Sequence, residues 1–218
     1  MNKELEIVVI SDTHGQEQYL DLPPGDVIIF CGDCETNISR VKKFIEWFSK
    51  LDYRYKIMIA GNHDSLFEKM GYDTTFKMCD EKGIIYLQDT EIIIEDLKIY
   101  GSPWTPEFCG WHFMLPENSL KSKWDSIPED TDILITHGPA YGIGDLVKNS
   151  YGTDPHVGST TLTEKIQKMP HLKYHLIGHI HEGRGIYQTS GFTTINASVL
   201  DHNYKNIKIQ PTFKIKKE

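Results

Sequence analysis

The chain has 218 residues, of which 39% are hydrophobic and 25% charged, so a folded globular protein fits and a disordered one is excluded. We expect a single domain over residues 1–218, because this length is too short for two large domains. The formal net charge is −8, whereas a general nucleic-acid binder usually carries a basic face. Stable nucleic-acid binding is therefore not expected. Membrane insertion is not expected either, since no apolar run approaches ~20 residues.

The four cysteines are too few for a disulfide scaffold in a chain of this length. The first predicted strand covers residues 4–10, and no apolar segment typical of a secretory signal precedes it. We therefore expect a cytoplasmic location. Cys31 and Cys34 form a C-x-x-C pair with no second pair, which favours burial over a zinc ribbon or a redox centre.

Short apolar and β-branched runs bounded by turn residues recur along the chain and predict strands. The predicted strands cover residues 7–10, 27–31, 55–60, 84–87, 91–94, 98–100, 132–136, 175–177, 193–195 and 207–209. Several of these runs lack any alternation of polar and apolar residues, which indicates strands that are buried on both faces.

Hydrophobic residues at helical spacing over 38–51 predict a helix, with Thr36 or Asn37 as its N-cap. The predicted elements run βαβαβα first, then mostly strands, then a helix and further strands. This order predicts a layered α/β protein with two sheets.

A second helix is predicted over residues 161–169, where Thr161 and Glu164 fit a capping box. Residues 102–126 are rich in aromatic residues and proline and show little periodicity, which predicts a loop. Two interpretations of this segment stay open. Its aromatic side chains either pack on the core or form a wall over an active site.

Five short polar clusters each follow an apolar run, at the point where a predicted strand ends. They are DTH (12–14), GD (32–33), GNHD (61–64), THGP (136–139) and GHIH (178–181). Taken singly, each cluster also fits a turn, a cap or a core histidine. Since ligands bind outside the carboxyl ends of strands in layered α/β folds, all five clusters can converge on one place. Their joint occurrence favours a metal site.

The side chains of these clusters offer oxygen and nitrogen ligands suited to Mn²⁺, Fe, Zn²⁺ or Ni²⁺. Alternate residues of an extended segment point the same way, so Asp12 pairs with His14 and His179 pairs with His181. Each pair could hold one ion or divide between two. The Asp33 carboxylate has two oxygens and could bridge a pair of metals.

The motif set D-x-H, G-D, G-N-H-D, T-H-G and G-H-x-H over residues 12–181 resembles the calcineurin-like metallophosphoesterases. The stretches GSPWTPEF, THGPAYGIGD and GHIHEGRG are similar to those of a subgroup of small single-domain members that act on phosphodiesters. The resemblance implies an α/β fold, a four-layer α/β-β-α sandwich of two mixed sheets flanked by helices. It also implies a cofactor of two divalent metal ions, with manganese favoured over Fe, Zn or Ni.

The resemblance assigns seven metal ligands in two groups that share one carboxylate. They are Asp12, His14 and His181 on one metal, Asn62, His137 and His179 on the other, and Asp33 bridging both. His63 would not be a ligand but a catalytic residue that stabilises or protonates the leaving oxygen. Asp64 either orients His63 or caps the turn, and we favour the capping role.

The chain departs from the family pattern after G-D, where family members often carry Arg or Asp. Here the sequence is GDCETN, which removes an arginine clamp for a monoester phosphate. This departure favours diesters over monoesters. Asn37 or Arg184 could contact the substrate phosphate instead.

The resemblance implies a metal-dependent hydrolase of phosphoester bonds, with a hydroxide that bridges the two metals as nucleophile. We expect a phosphodiesterase acting on a small cyclic or linear phosphoester substrate. The alternatives are a phosphomonoesterase and a non-catalytic interaction module on the same fold. The module is disfavoured because all seven ligand positions and His63 are present. The oligomeric state is left open.

Overall fold

The apolar runs of the sequence form the strands of two large sheets in the computed structural model, which describes residues 4–148, 153–205 and 212–215. The strands are β1 (Leu5–Ile10), β2 (Val27–Phe30), β3 (Tyr55–Met58), β4 (Ile85–Tyr86), β5 (Thr90–Ile94), β6 (Leu97–Ser102), β7 (Thr105–Pro106), β8 (Met114–Leu115), β9 (Ile133–Thr136), β10 (Tyr174–Ile177), β11 (Gly185–Gln188), β12 (Thr193–Asn196) and β13 (Thr212–Ile215). The helices are α1 (Ile38–Ser49), α2 (Ser65–Met70), α3 (Tyr72–Asp80), α4 (Glu117–Asp125) and α5 (Thr160–Ile166).

Both large sheets are mixed. The first has the order β13-β1-β2-β3-β4, and the second has the order β11-β12-β10-β9-β6-β5. In the first sheet β1 to β4 are parallel and β13 is antiparallel to β1. In the second sheet β6, β9, β10 and β12 are parallel, and the two edge strands are antiparallel to their neighbours.

Three apolar clusters divide the molecule into four layers. The central cluster lies between the sheets, where Val9 and Ile29 of the first sheet belong to the same cluster as Ile135 of the second. A second cluster packs α1, through Phe44, on the outer face of the first sheet. The third places Trp124 of α4 on the outer face of the second sheet. These layers confirm the expected sandwich of two mixed sheets flanked by helices.

The strand predictions are confirmed to within a few residues at each end, apart from 207–209, which lies outside the described residues. Strands β7, β8, β11 and β13 were not predicted. The expected order βαβαβα was wrong at its first connection, because only a 3₁₀ turn (Glu17–Tyr19) separates β1 from β2. Within the described residues, no helix combines the length and the apolar character needed to cross a bilayer.

The predicted N-caps have different outcomes. Asn37 caps α1, since its side chain accepts a hydrogen bond from the Ser39 N–H. The capping box at Thr161 was wrong, because the hydroxyl of Ser159 accepts from the Leu162 N–H and the helix begins one residue earlier, at Thr160. The Thr161 hydroxyl instead donates to Glu117 of α4 at 2.7 Å. This contact fastens the two helices of the outer layer together.

The segment 102–126 was predicted to be a loop, but it contains helix α4. Leu120 and Trp124 lie four residues apart on one face of this helix and are both buried. The Trp124 ring N–H donates to the Ser159 hydroxyl at 3.1 Å. Residues 107–113, between β7 and β8, remain irregular and run over the carboxyl end of the first sheet.

Candidate metal centre

The five polar clusters meet at the carboxyl ends of parallel strands from both sheets, as the strand-end argument predicts. The side chains that meet there are Asp12 after β1, Asp33 after β2, Asn62 after β3, His137 after β9, and His179 and His181 after β10. The first sheet therefore provides mostly oxygen atoms, and the second provides only imidazole nitrogens.

Two groups of side chains have the spacing of metal ligands. Ligand atoms of Asp12, His14 and His181 lie within 4.8 Å of one another, and those of Asp33, His137 and His179 do the same. In the first group the His181 Nε2 atom is 3.5 Å from the Asp12 Oδ1 atom. The first group consists of the residues that the resemblance assigns to one metal, and the second joins two residues assigned to the other metal with Asp33, the expected bridge.

Asp33 lies between the two groups. Its Oδ2 atom is 3.2 Å from His137 Nε2 and 3.9 Å from His14 Nε2, so one carboxylate oxygen faces both groups. The Asn62 Oδ1 atom is 2.9 Å from the same His137 nitrogen. The structure thus brings together all seven side chains that sequence reasoning selected.

Four of these residues adopt a backbone conformation that L-residues seldom occupy. The φ angles of Asp12, His14, Asp33 and His179 are 57°, 42°, 64° and 66°. Such conformations cost on the order of 1–2 kcal/mol each, and they concentrate at functional sites. The surrounding fold therefore holds these four residues in place against their local preference.

Glycines allow the loops to approach this closely. A Cβ atom on Gly32 would lie 2.6 Å from His137 Nδ1, and one on Gly178 would overlap Ser11 and Asp12. Any larger residue at either position would push a strand-end loop away from its neighbour. The glycines of the GD and GHIH clusters are thus part of the site's construction.

The donor atoms fit two divalent cations. The Nδ1 atoms of His137 and His181 donate to backbone carbonyls at 2.7 and 2.9 Å, which leaves each Nε2 atom directed into the site. Among the described residues, the His14 Nε2 atom is buried and has no hydrogen-bond partner. A mixed set of imidazole, carboxylate and amide donors suits Mn²⁺, Fe, Zn²⁺ or Ni²⁺.

The electrostatics of the site favour ionised carboxylates. Burial alone would raise the pKa of the Asp12 carboxyl, but the hydrogen bond and charge of His181 lower that pKa well below its usual value. Burial tends to lower the pKa of His137, but the charge and hydrogen bond of Asp33 raise it to about 9. Since ligand nitrogens must be unprotonated, a metal would have to displace the proton that His137 carries at neutral pH.

His63 lies beside the two groups and at the wall of a cleft of about 530 Å³. Its ring centroid is 5.1 Å from that of His14 and 4.7 Å from that of Trp111. Its backbone N–H donates to Asp33 Oδ1 at 2.7 Å. The imidazole is thus close to the metal ligands and reachable from the cleft.

Asp64 does more than cap the turn of residues 61–64. Its buried carboxylate accepts hydrogen bonds from the backbone N–H groups of Gly61, Asp33, Cys34 and Glu35 at 2.8–3.2 Å. No side-chain bond from Asp64 caps the helix that follows. Asp64 therefore fastens the loop after β3 to the loop after β2, which carries Asp33.

The two predicted phosphate contacts lie away from the cleft lining. The Asn37 side chain accepts from the Ser39 N–H as the cap of α1. Arg184 Nη1 donates to the Ser198 carbonyl at 2.7 Å. A substrate contact by Asn37 or Arg184 stays a prediction.

Sequence reasoning missed two residues that contact the candidate ligands. Ser198 donates from its hydroxyl to Asp12 Oδ2 at 2.9 Å, and the Tyr204 ring lies 4.6 Å from that of His14. Ser198 follows β12 at its carboxyl end, so the rule that located the five clusters could also have indicated it. Tyr204 follows no predicted strand, and no local pattern marks it.

Comparison with known proteins places the chain in a family. Residues 5–183 match the calcineurin-like phosphoesterase family, and the chain belongs to it. Family membership and the two ligand groups together support a metal-dependent phosphoester hydrolase.

The chain is similar to individual proteins over most of its length. Human metallophosphoesterase domain-containing protein 1 is 40% identical over 92% of this chain and 68% of its own length. UPF0046 protein T07D4.2 of Caenorhabditis elegans is 33% identical over 95% of this chain and 59% of its own length. Among solved structures, TT1561 of Thermus thermophilus has the same fold, with a TM-score of 0.63, 14% identity, and coverage of 97% of this chain and 99% of its own.

Proposed function

We propose that the chain is a metal-dependent phosphodiesterase that acts on small cyclic or linear phosphodiesters. The observation that carries the proposal is the position of His63 at the cleft wall, beside two candidate ligand groups with the Asp33 carboxylate between them. Two divalent cations, when bound, activate water and neutralise phosphate oxygens during in-line attack. Manganese is the ion we favour.

The residues of the chain would then divide the remaining work. His63 donates a proton to the leaving oxygen, while its backbone hydrogen bond to Asp33 keeps it next to the reacting phosphate. The Trp111 ring packs against His63 and restricts its rotation. His14 and His181 would help to hold one cation and His137 and His179 the other, with Asp33 lying between the two groups.

The charge of the cleft supports a diester over a monoester. No lysine or arginine is among its described lining residues, whereas Glu107 and Glu182 are. A monoester phosphate carries up to two negative charges and gains most from an arginine clamp. A diester carries one negative charge and two organic groups, which suits a cleft with a largely apolar lining.

The test is hydrolysis of bis(p-nitrophenyl) phosphate by chelator-stripped protein with Mn²⁺ restored, with p-nitrophenyl phosphate in parallel. We expect metal-dependent turnover of the diester that is lost in His63→Ala and in Asp33→Ala. The exposed His171→Ala serves as the matched control and should retain activity.

Two other outcomes would contradict the proposal in different ways. Faster turnover of the monoester would identify a phosphomonoesterase. Protein that binds two Mn²⁺ ions yet hydrolyses neither ester would point to a binding module.

A further inference from the structure

The aromatic side chains of residues 102–126 divide between the core and the cleft. Phe113 and Trp124 are fully buried, whereas Phe108 and Trp111 are 61% and 40% exposed. The rings of Phe108 and Trp111 contact each other edge to face, with centroids 5.6 Å apart. Both line the cleft that contains Asp33, and we call this pair the aromatic wall. Core packing explains the buried rings but not the aromatic wall.

The aromatic wall is attached to the loop that carries the proposed proton donor. The Trp111 ring lies 4.7 Å from the ring of His63. The next residue, His112, donates from its backbone N–H to the carbonyl of Asn62 at 3.2 Å. Any group held against Trp111 is therefore also next to His63 and to the ligand loop.

Beyond the ligand groups and His63, the rest of the cleft lining is largely apolar, with two carboxylates, His202 and Tyr204 as its polar side chains. Val147, Val157 and Ile180 provide aliphatic surface in the lining, and Glu107 and Glu182 provide carboxylates. No lysine or arginine among the described lining residues offsets these two carboxylates. An anionic group in this part of the cleft would be repelled, and a neutral one would not.

We infer that the aromatic wall binds a neutral, planar aromatic or heteroaromatic arm of the phosphodiester substrate. This inference rests on the proposed function and specifies its substrate class. A planar arm can stack on Trp111 while the phosphate lies at the ligand groups, and such stacking strengthens binding substantially. A purely aliphatic arm would gain less from the wall, and an arm with a second negative charge would meet Glu107 and Glu182.

The test measures binding and does not require turnover. Methyl methylphosphonate and methyl phenylphosphonate carry the same single charge and differ only in the group joined to phosphorus by an unhydrolysable P–C bond. Calorimetry on the Mn²⁺-loaded protein should give a Kd about tenfold lower for the phenyl compound, as expected from loss or gain of one stacking contact. Methyl (4-carboxyphenyl)phosphonate keeps the ring, adds one negative charge, and should bind more weakly than the phenyl compound.

The variants assign the preference to the wall. Phe108→Ala and Trp111→Leu should bring the Kd ratio of the phenyl and methyl compounds close to one, whereas Trp111→Phe should keep most of it. Phe76→Ala removes an exposed ring on α3 that does not line the cleft, so the ratio should not change. Because all these positions are exposed, thermal unfolding should confirm that the variants remain folded.

Equal Kd values for the two compounds in the unaltered protein would overturn the inference, as would a phenyl preference that survives both wall substitutions. Undetectable binding of the phenyl compound at millimolar concentration would overturn it too. The proposed function fails separately, through absence of diester hydrolysis by protein with two bound ions. Hydrolysis with equal Kd values would thus reject the aromatic arm and leave the phosphodiesterase standing.

Discussion

At the scale of single residues, Asp64 shows how much of the site depends on groups that touch no metal or substrate. Its carboxylate holds four backbone N–H groups from two loops, one of which carries Asp33. Burial raises the pKa of Asp64 to about 6, and the nearby charge of Asp33 adds to this rise. The four hydrogen bonds offset part of the cost of removing this carboxyl from water.

Asp64→Asn should destabilise the protein. The amide offers one oxygen and one donor group, so two buried N–H groups lose their acceptor, at a cost of about 2–4 kcal/mol. Urea unfolding of chelator-stripped protein would measure this loss, and Mn²⁺ titration should show weaker binding because Asp33 is displaced. Asp80→Asn, at the exposed end of α3, is the control and should change neither quantity. An unchanged unfolding free energy in Asp64→Asn would contradict the role assigned to this carboxylate.

His175 provides a pH dependence that is separate from the metal site. It is fully buried in β10, its Nε2 atom lies 2.8 Å from the Thr136 hydroxyl, and burial lowers its pKa to about 3. The folded pKa is below the unfolded value, so this histidine's stabilising contribution is complete above pH 6.5 and is lost as the pH falls towards 3.

His175→Gln should therefore weaken the acid sensitivity of folding. Between pH 7 and pH 5 the unaltered protein should lose about 2 kcal/mol more unfolding free energy than the variant, since the unfolded state binds a proton that the folded state rejects. Urea unfolding at the two pH values in the presence of chelator gives the comparison. Parallel pH dependence of the two proteins would show that His175 is protonated in the fold.

At the scale of elements, helix α2 positions the aromatic wall through Glu68. This carboxylate accepts from the Phe113 N–H at 2.9 Å and lies 2.7 Å from the ring nitrogen of His112. Phe113 then packs under Trp104, with ring centroids 5.5 Å apart. Helix α2, which directly follows GNHD, thus fixes the position of the aromatic wall relative to His63, the proposed proton donor.

Glu68→Gln should loosen the wall without unfolding the protein. Replacing the carboxylate removes the charge from its hydrogen bonds, which is worth on the order of 1 kcal/mol and speeds local opening several-fold. Amide hydrogen exchange at Phe113 should be several times faster, with exchange in β1 and β2 unchanged. Glu81→Gln, at the exposed C-cap of α3, is the matched control. If the exchange rate at Phe113 were unaltered, contacts other than those of Glu68 would hold the wall in place.

The elements also show where sequence patterns suffice. Strands β1, β2 and β9 were predictable because mostly continuous apolar runs mark strands buried on both faces. Helix α4 was not, because only Leu120 and Trp124 face the core and polar residues fill its other positions. Strand β11 alternates half-buried and exposed residues, so it carries too little apolar signal to be recognised.

At the scale of the whole molecule, the position of the site was predictable and its supporting contacts were not. The seven proposed ligands lie in short motifs at strand ends. In layered α/β folds ligands bind outside the carboxyl ends of the strands, so these motifs were expected to meet at one place. The strand-end rule could have indicated Ser198 as a residue near the site, but its bond to Asp12, 186 residues away, and the bond of Asp64 to Asp33, 31 residues away, leave no local sequence pattern. The aromatic wall is similar, because composition could not decide which rings of residues 102–126 face inwards.

Metal loading should stabilise the whole fold. Each Mn²⁺ ion present at one hundred times its Kd should add about 2.7 kcal/mol to the unfolding free energy, provided that the unfolded chain does not bind it. Elemental analysis should find two ions per chain in the unaltered protein and fewer in His179→Ala, with a correspondingly smaller rise in melting temperature. His171→Ala is the control for loss of an imidazole outside the site. Equal metal content in His179→Ala would remove His179 from the ligand set.

The division of the ligands between two sheets has a consequence for the chain during its synthesis. The proposed ligands Asp12, His14, Asp33 and Asn62 follow strands of the first sheet, whereas His137, His179 and His181 follow strands of the second, so both candidate groups contain members of each. A nascent chain that has left the ribosome only as far as β6 has part of each group and none of its second-sheet imidazoles. If these residues are the ligands, as we propose, tight metal capture waits until His179 and His181, which follow β10, have been made. The growing polypeptide is thereby kept from assembling a working hydrolytic centre before both halves of the sandwich exist.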